Sequence, residues 1–242
     1  PGPMGHLVMA YLFLKAQGVS PLVSRTVIDA AAGKAVEVQN AAATGLTATA
    51  SQVAFVSLEK ALPFPVPTSA EGALKLVPFT QDLNQQVLVV ANLAPGTYEL
   101  LIDDTVVGEY PAADLAAGIN LAENAKTPQY QQARTVAAAN DRRHALVSGK
   151  LRSFALTETY LRSLQALDLN DVTAVTKALN DRLEKMKASK SPYAGYYEGQ
   201  TKTYIAEKAR ESEYVREAEA ALATMLTASR PSEHRYLLRA KP

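Results

Sequence analysis

Nucleophilic hydrolysis needs a serine hydroxyl activated by a histidine, with donors aimed at the developing oxyanion. The serines of this chain fall in expected strands, helix ends and polar loops, and none stands in a glycine-flanked strand-to-helix turn that would expose its hydroxyl. Each histidine has a structural reading. His6 opens a helix, where a ring packs or caps a backbone group, and His144 follows Asp141-Arg142-Arg143 near a helix C-terminus, where the dipole favours positive charge. His234 lies on a short terminal strand with no second metal ligand in sequence reach. Glycines do not gather into a phosphate-cradling loop, and the absence of cysteine removes disulfides, thiolate ligands and a thiol nucleophile together. The expected inventory is therefore no catalytic residue, no metal site and no cofactor. One cluster suits recognition instead. Tyr193, Tyr196 and Tyr197 stand with Gly195 and Gly199 in what reads as a loop between helices. Exposed aromatic faces stack on sugar rings or anchor interfaces, and the same rings would also serve to plug a helical hairpin onto the body of the protein. These tyrosines are the candidate substrate-binding residues.

Charge and hydropathy bound the partners. Lys and Arg number 25 against 24 Asp and Glu, a formal net charge of +1, so no long-range field gathers nucleic acid or an anionic membrane, and neither is expected. Over 242 residues, 48% hydrophobic side chains suffice for a sizeable core in a soluble protein. The apolar run Leu7 to Leu14 is far shorter than the ~20 residues of a membrane span, and no basic segment precedes it as in a signal peptide.

The elements follow from period and punctuation. Leu7, Val8, Tyr11, Leu12 and Leu14 fall on most faces of a helix that Gly18 and Pro21 close, so that helix needs cover on several sides. From Pro21 to Tyr110 the period is two, as in Val36-Glu37-Val38-Gln39 and the β-rich run Val53 to Leu58, which predicts short antiparallel strands. Val87 to Val90, the turn Ala94-Pro95-Gly96, Thr97 to Ile102, the turn Asp103-Asp104 and Val106 to Tyr110 read as a three-stranded meander. Leu62 to Pro67, with proline at alternate positions, reads as an extended loop or sheet edge. Thr127-Pro128 starts a helix to about 147; Asn170 caps the next, with Val172, Val175, Leu179, Leu183 and Met186 inward. A break from Ser191 to Gly199 precedes a long helix from Thr201 to Ala228, whose charged run Glu207 to Glu219 is a solvated face. The tail His234 to Arg239 alternates as an edge strand would. The class is α+β, with an antiparallel meander or sandwich-like region followed by a helical hairpin.

Pro1-Gly2-Pro3-Met4-Gly5-His6-Leu7-Val8-Met9-Ala10 resembles the stretch that follows the D-x-x-H block in SGNH (GDSL-type) ester hydrolases. The likeness continues at Leu58 to Pro65, Gly96 to Asp103 and Gly118 to Ala122, which look like the appended region of larger bacterial members. By this resemblance, the catalytic histidine would directly precede Pro1, and the serine, glycine and asparagine blocks would lie further upstream. Residues 1–19 would be the last helix of a flavodoxin-like α/β core, 20–125 an antiparallel β region, 126–230 a helical region and 231–242 a terminal strand. The resemblance implies a serine acyl-enzyme route without cofactor, acting on a small acyl ester, for instance acetyl on a carbohydrate. It also implies an exported or periplasmic setting, with the missing core as the chief partner. The other reading is a non-catalytic module that binds glycan or forms a homo-oligomer.

Overall fold

Proline in a first turn loses only an N–H that has no partner there, and glycine past the last turn accepts the left-handed conformation that closes a helix. Helix α1 (Pro3–Ala16) uses both, ending at Gly18 with φ of 67°. The computed structural model describes residues 2–164 and 166–241. Within this chain α1 buries only Leu7 and Tyr11. They pack on Ala70 and Ala73 of the 3₁₀ segment Thr68–Lys75 and on Phe79 of α2 (Phe79–Leu83). Tyr11 donates to Asp82 Oδ2 at 2.7 Å, and Lys15 pairs with the same oxygen at 3.0 Å. Met9, Leu12 and Phe13 stay outside, 60%, 58% and 62% exposed.

The strands form two sheets. In the first, β1 (Leu22–Asp29) pairs antiparallel with β2 (Lys34–Gln39) and parallel with β5 (Gln85–Ala91), which pairs antiparallel with the short β8 (Ile119–Asn120). The second is antiparallel throughout, in the order β3 (Ala41–Ala48), β4 (Gln52–Glu59), β9 (Glu233–Ala240), β6 (Thr97–Ile102) and β7 (Thr105–Pro111). Ile28, Leu88 and Val90 of one sheet meet Phe55, Leu100, Ile102 and Leu238 of the other in a shared core that Leu115 of α3 (Ala112–Ala117) joins.

Three strand expectations are corrected. The meander is a hairpin only, because β5 and β6 belong to different sheets. Leu88, Val89 and Val90 are buried in succession, the pattern of a strand covered on both faces, and Asn92 (φ 61°) and Gly96 (φ 151°) turn the chain across to the second sheet. The Tyr98 hydroxyl lies at that crossing 2.9 Å from each of the carbonyls of Ala50 and Ala94, sharing its one hydrogen between them. The β1–β5 pair is parallel where only antiparallel pairing was expected. β9 is a central strand, not an edge: alternation reports one buried face, which a central strand with a solvated outer face shares with an edge strand. The proline-rich stretch lies outside both sheets, and the buried Asn84 amide pairs with both the N–H and the C=O of Phe64, at 2.9 and 3.0 Å.

The helical part begins as Thr127-Pro128 predicts: α4 (Pro128–Leu146) has its Tyr130 N–H donating to Thr127 Oγ1 at 3.3 Å. A π turn (Val147–Leu151) leads into α5 (Arg152–Arg162). α6 (Val172–Ala188) is capped by Asp171, one residue later than expected, because the Asn170 amide turns back to Asp168. The long last helix is in fact two. α7 (Ala194–Glu207) starts directly after Ser191-Pro192, and a 3₁₀ turn (Lys208–Arg210) separates it from α8 (Glu211–Ala228). Ion pairs hold the break, Lys208 with Glu158 and Glu211, and Glu207 with Lys150 at 2.7 Å.

The chain divides into two compact units, Pro1–Ala137 with Leu226–Pro242, and Ala138–Met225 inserted between them in sequence. The first holds both sheets. The second has its own core, centred on the fully buried Phe154 with Tyr204 edge-on at 5.9 Å and Tyr214 stacked at 6.3 Å. The fold is α+β, with two sheets rich in antiparallel pairs and long helices. Among the described residues no helix is long and apolar enough to cross a membrane.

Candidate functional site

The π turn widens the helix by one residue per turn, a deformation that recurs at functional sites because it lifts side chains and backbone out of register. Here it opens a groove of about 490 Å³ in the second unit. One wall is Ser148, Gly149, Arg152, Ser153 and Leu156; the other is Tyr196, Gly199, Gln200 and Thr203 of α7. A Cβ added at Gly149 or Gly199 would meet no atom within 4 Å, so the two glycines leave free space and not tight backbone packing.

The three candidate tyrosines part company. They lie at the start of α7 and not in a loop: glycine was read as a breaker, yet Gly195 and Gly199 sit inside the helix that Pro192 precedes. Tyr196, 57% exposed, lines the groove. Tyr197 meets it edge-on at 5.3 Å and is itself held by the Arg182 guanidinium, 4.3 Å from its ring and 3.9 Å from that of Tyr160. Tyr193 is exposed ahead of the first helical residue and is not part of the groove wall. One aromatic platform, one guanidinium, one amide and several hydroxyls can hold a polyhydroxylated ligand carrying an acyl or acidic oxygen. Ser148 Oγ lies 3.4 Å from His144 Nδ1, a long contact between two exposed side chains.

His234, read as structural, proves to have partners that sequence could not show. Its Nδ1 lies 2.6 Å from Asp103 Oδ2 and its Nε2 lies 3.2 Å from Ser232 Oγ. Serine, histidine and aspartate in that order are the parts of a hydrolase triad, but their exposure is reversed. A triad buries its carboxylate, whereas here the histidine side chain is 9% exposed and that of Asp103 46%. Asp103 Oδ1 also accepts the Arg235 N–H at 2.8 Å, so the carboxylate joins the β6–β7 turn, with Asp103 and Asp104 at positive φ, to the start of β9. Burial alone would raise the Asp103 carboxyl; the hydrogen bonds from His234 and Arg235 outweigh it and hold the group below the usual range. His6 and His144 are exposed.

A second polar cluster lies between the sheets. Glu59 Oε1 accepts from Ser57 Oγ at 3.1 Å, Tyr236 Oη at 2.9 Å and Gln129 Nε2 at 3.3 Å, while Gln129 Nε2 also donates to Tyr236 Oη at 2.8 Å. All four side chains are buried.

The sequence matches no protein-family model and no curated protein. Among solved structures it is similar to BT4096, a gut microbial diltiazem-metabolizing enzyme, with a TM-score of 0.82 and 30% identity. The likeness covers 100% of this chain and 55% of that one, so the chain spans about half the length of that enzyme.

Proposed function

We propose that this chain is the accessory part of a larger SGNH-type ester hydrolase, whose α/β core carries the serine and histidine and packs on the outward face of α1. The observation that carries the reading is that face: Met9, Leu12 and Phe13 stand exposed on the helix whose sequence continues the resemblance. Burying three large apolar side chains is worth roughly 5 kcal/mol, enough to dock a further layer. The chain's full-length likeness to about half of an enzyme fits the coarser part of the reading, a chain that belongs to a larger protein, and does not bear on the kind of reaction. The chemistry would be serine acyl transfer from a small ester such as an O-acetyl sugar, without cofactor, in an exported protein. This chain would contribute structure and, through Tyr196 and Arg152, recognition.

The test uses p-nitrophenyl acetate and diltiazem, which itself carries an acetate ester. The polypeptide encoded ahead of Pro1 should hydrolyse them when joined to this chain, and this chain alone should not. Leu12→Ser with Phe13→Ser should weaken binding between the two parts when they are produced separately. Hydrolysis by this chain alone at an enzymatic rate, or binding indifferent to the double substitution, would overturn the proposal.

The groove favours a second reading, a glycan-binding module that needs no core. In that case the chain alone should bind acetylated oligosaccharides in calorimetry and lose that binding in Tyr196→Ala.

A further inference from the structure

Glu59, Gln86 and Gln129 are 4%, 2% and 1% exposed, yet each has polar atoms without a partner. Among the described residues, nothing bonds Glu59 Oε2, Gln86 Oε1 or Gln129 Oε1, and the Gln86 amide N–H has only a distant approach to the Tyr236 phenol. The groups that do meet the Glu59 carboxylate, Ser57, Gln129 and Tyr236, are all neutral and all converge on its other oxygen. Beside them lies a chamber of about 10 Å³, lined by Ser24, Thr26, Ser57, Glu59, Gln86 and Tyr236. That is room for one body the size of a water molecule.

Isolated carboxylates and orphaned amides are costly in such a place, which narrows the choice of occupant. A proton on Oε2 would cancel the charge and leave the chamber empty. A water molecule would fill the chamber and leave the charge. A proton and a water molecule together, or a small monovalent cation alone, would do both; the cation is favoured by the free ligands, the hard oxygens of a carboxylate, an amide and hydroxyls, with no nitrogen or sulfur donor of the kind softer metals prefer. One carboxylate balances one positive charge and would leave a divalent ion uncompensated. A single-water volume suits sodium better than the larger potassium. We propose that the chamber between the two sheets is a sodium site, with Glu59 Oε2 and Gln86 Oε1 as its principal ligands. The inference stands apart from the ester-hydrolase reading.

The experiment compares thermal unfolding of the whole chain in NaCl, KCl and choline chloride at matched ionic strength. Sodium should raise the midpoint by several degrees over choline, saturably, with potassium having little effect. Glu59→Gln should melt alike in all three salts. Identical wild-type curves in sodium and choline would overturn the site, and equal effects of potassium and sodium would overturn its assignment to sodium. If Glu59→Gln does not fold, crystals of the wild-type chain grown from NaCl decide the matter. A density peak with several oxygens closer than hydrogen-bond length supports the ion, and one at ordinary hydrogen-bond distances, or none, refutes it.

Discussion

Replacing Tyr236 with phenylalanine removes one oxygen from the polar cluster between the sheets. That hydroxyl donates to Glu59 Oε1 at 2.9 Å and accepts from Gln129 Nε2 at 2.8 Å. The ring keeps its stack on Phe55, 4.8 Å away and inclined by 20°, so packing is conserved and the change isolates hydrogen bonding. A bond to a carboxylate contributes roughly 1.5–3 kcal/mol net and one between neutral groups about 1, and Glu59 Oε1 retains its donors Ser57 and Gln129. The expected loss is therefore about 2–3 kcal/mol. Burial, then the nearby Glu59 charge, pushes the Tyr236 phenol well above its ordinary range, so the loss should not vary between mildly acidic and mildly alkaline pH. Urea unfolding should show a lower midpoint at unchanged slope. A cycle with Glu59→Gln should show coupling above ~0.5 kcal/mol, since the two groups touch. A loss under ~0.5 kcal/mol, or strict additivity, would refute the view that this cluster ties β4, β9 and α4 together.

Two further outcomes are expected. The Asp103 carboxyl is depressed in the folded state, so it adds stability that is fully present above the ordinary carboxylate range and drains away as pH falls through its lower folded value. Asp103→Asn should remove that acid limb from a stability–pH curve, and an unchanged limb would assign it to other groups. Gly199 lies inside α7 with open space where a Cβ would stand, so Gly199→Ala should stabilise the helix by about 0.5–1 kcal/mol in thermal unfolding while narrowing the groove; a loss of stability would contradict the geometry of that wall.

Where neighbours along the chain decide the structure, the sequence was legible. Thr127-Pro128 set the start of α4, Asp103-Asp104 set the β6–β7 turn, and the prolines of Leu62 to Pro67 kept that stretch out of the sheets. Strand partners were not legible, because alternation at Tyr236 and Leu238 states which face is buried and not how many strands lie beside it. The tyrosine cluster was found, but local reading could not separate Tyr196, in the groove, from Tyr197, clasped by Arg182 from another helix. The residues lining the buried chamber come from β1, β4, β5 and β9 and share no motif, so only the folded chain brings them together.

The central position of β9 also orders events in time. β4 and β6 are made early, yet the strand that must sit between them follows the whole helical unit, and the contact of Glu59 with Tyr236 closes a span of 177 residues. Without β9 the β3–β4 and β6–β7 hairpins would each have an unpaired inner edge, open to pairing with other chains. The first sheet has no such wait, since its strands are complete by Asn120. The second sheet is therefore closed by one strand that arrives late in the chain, and edges left open before it are places where aggregation can start.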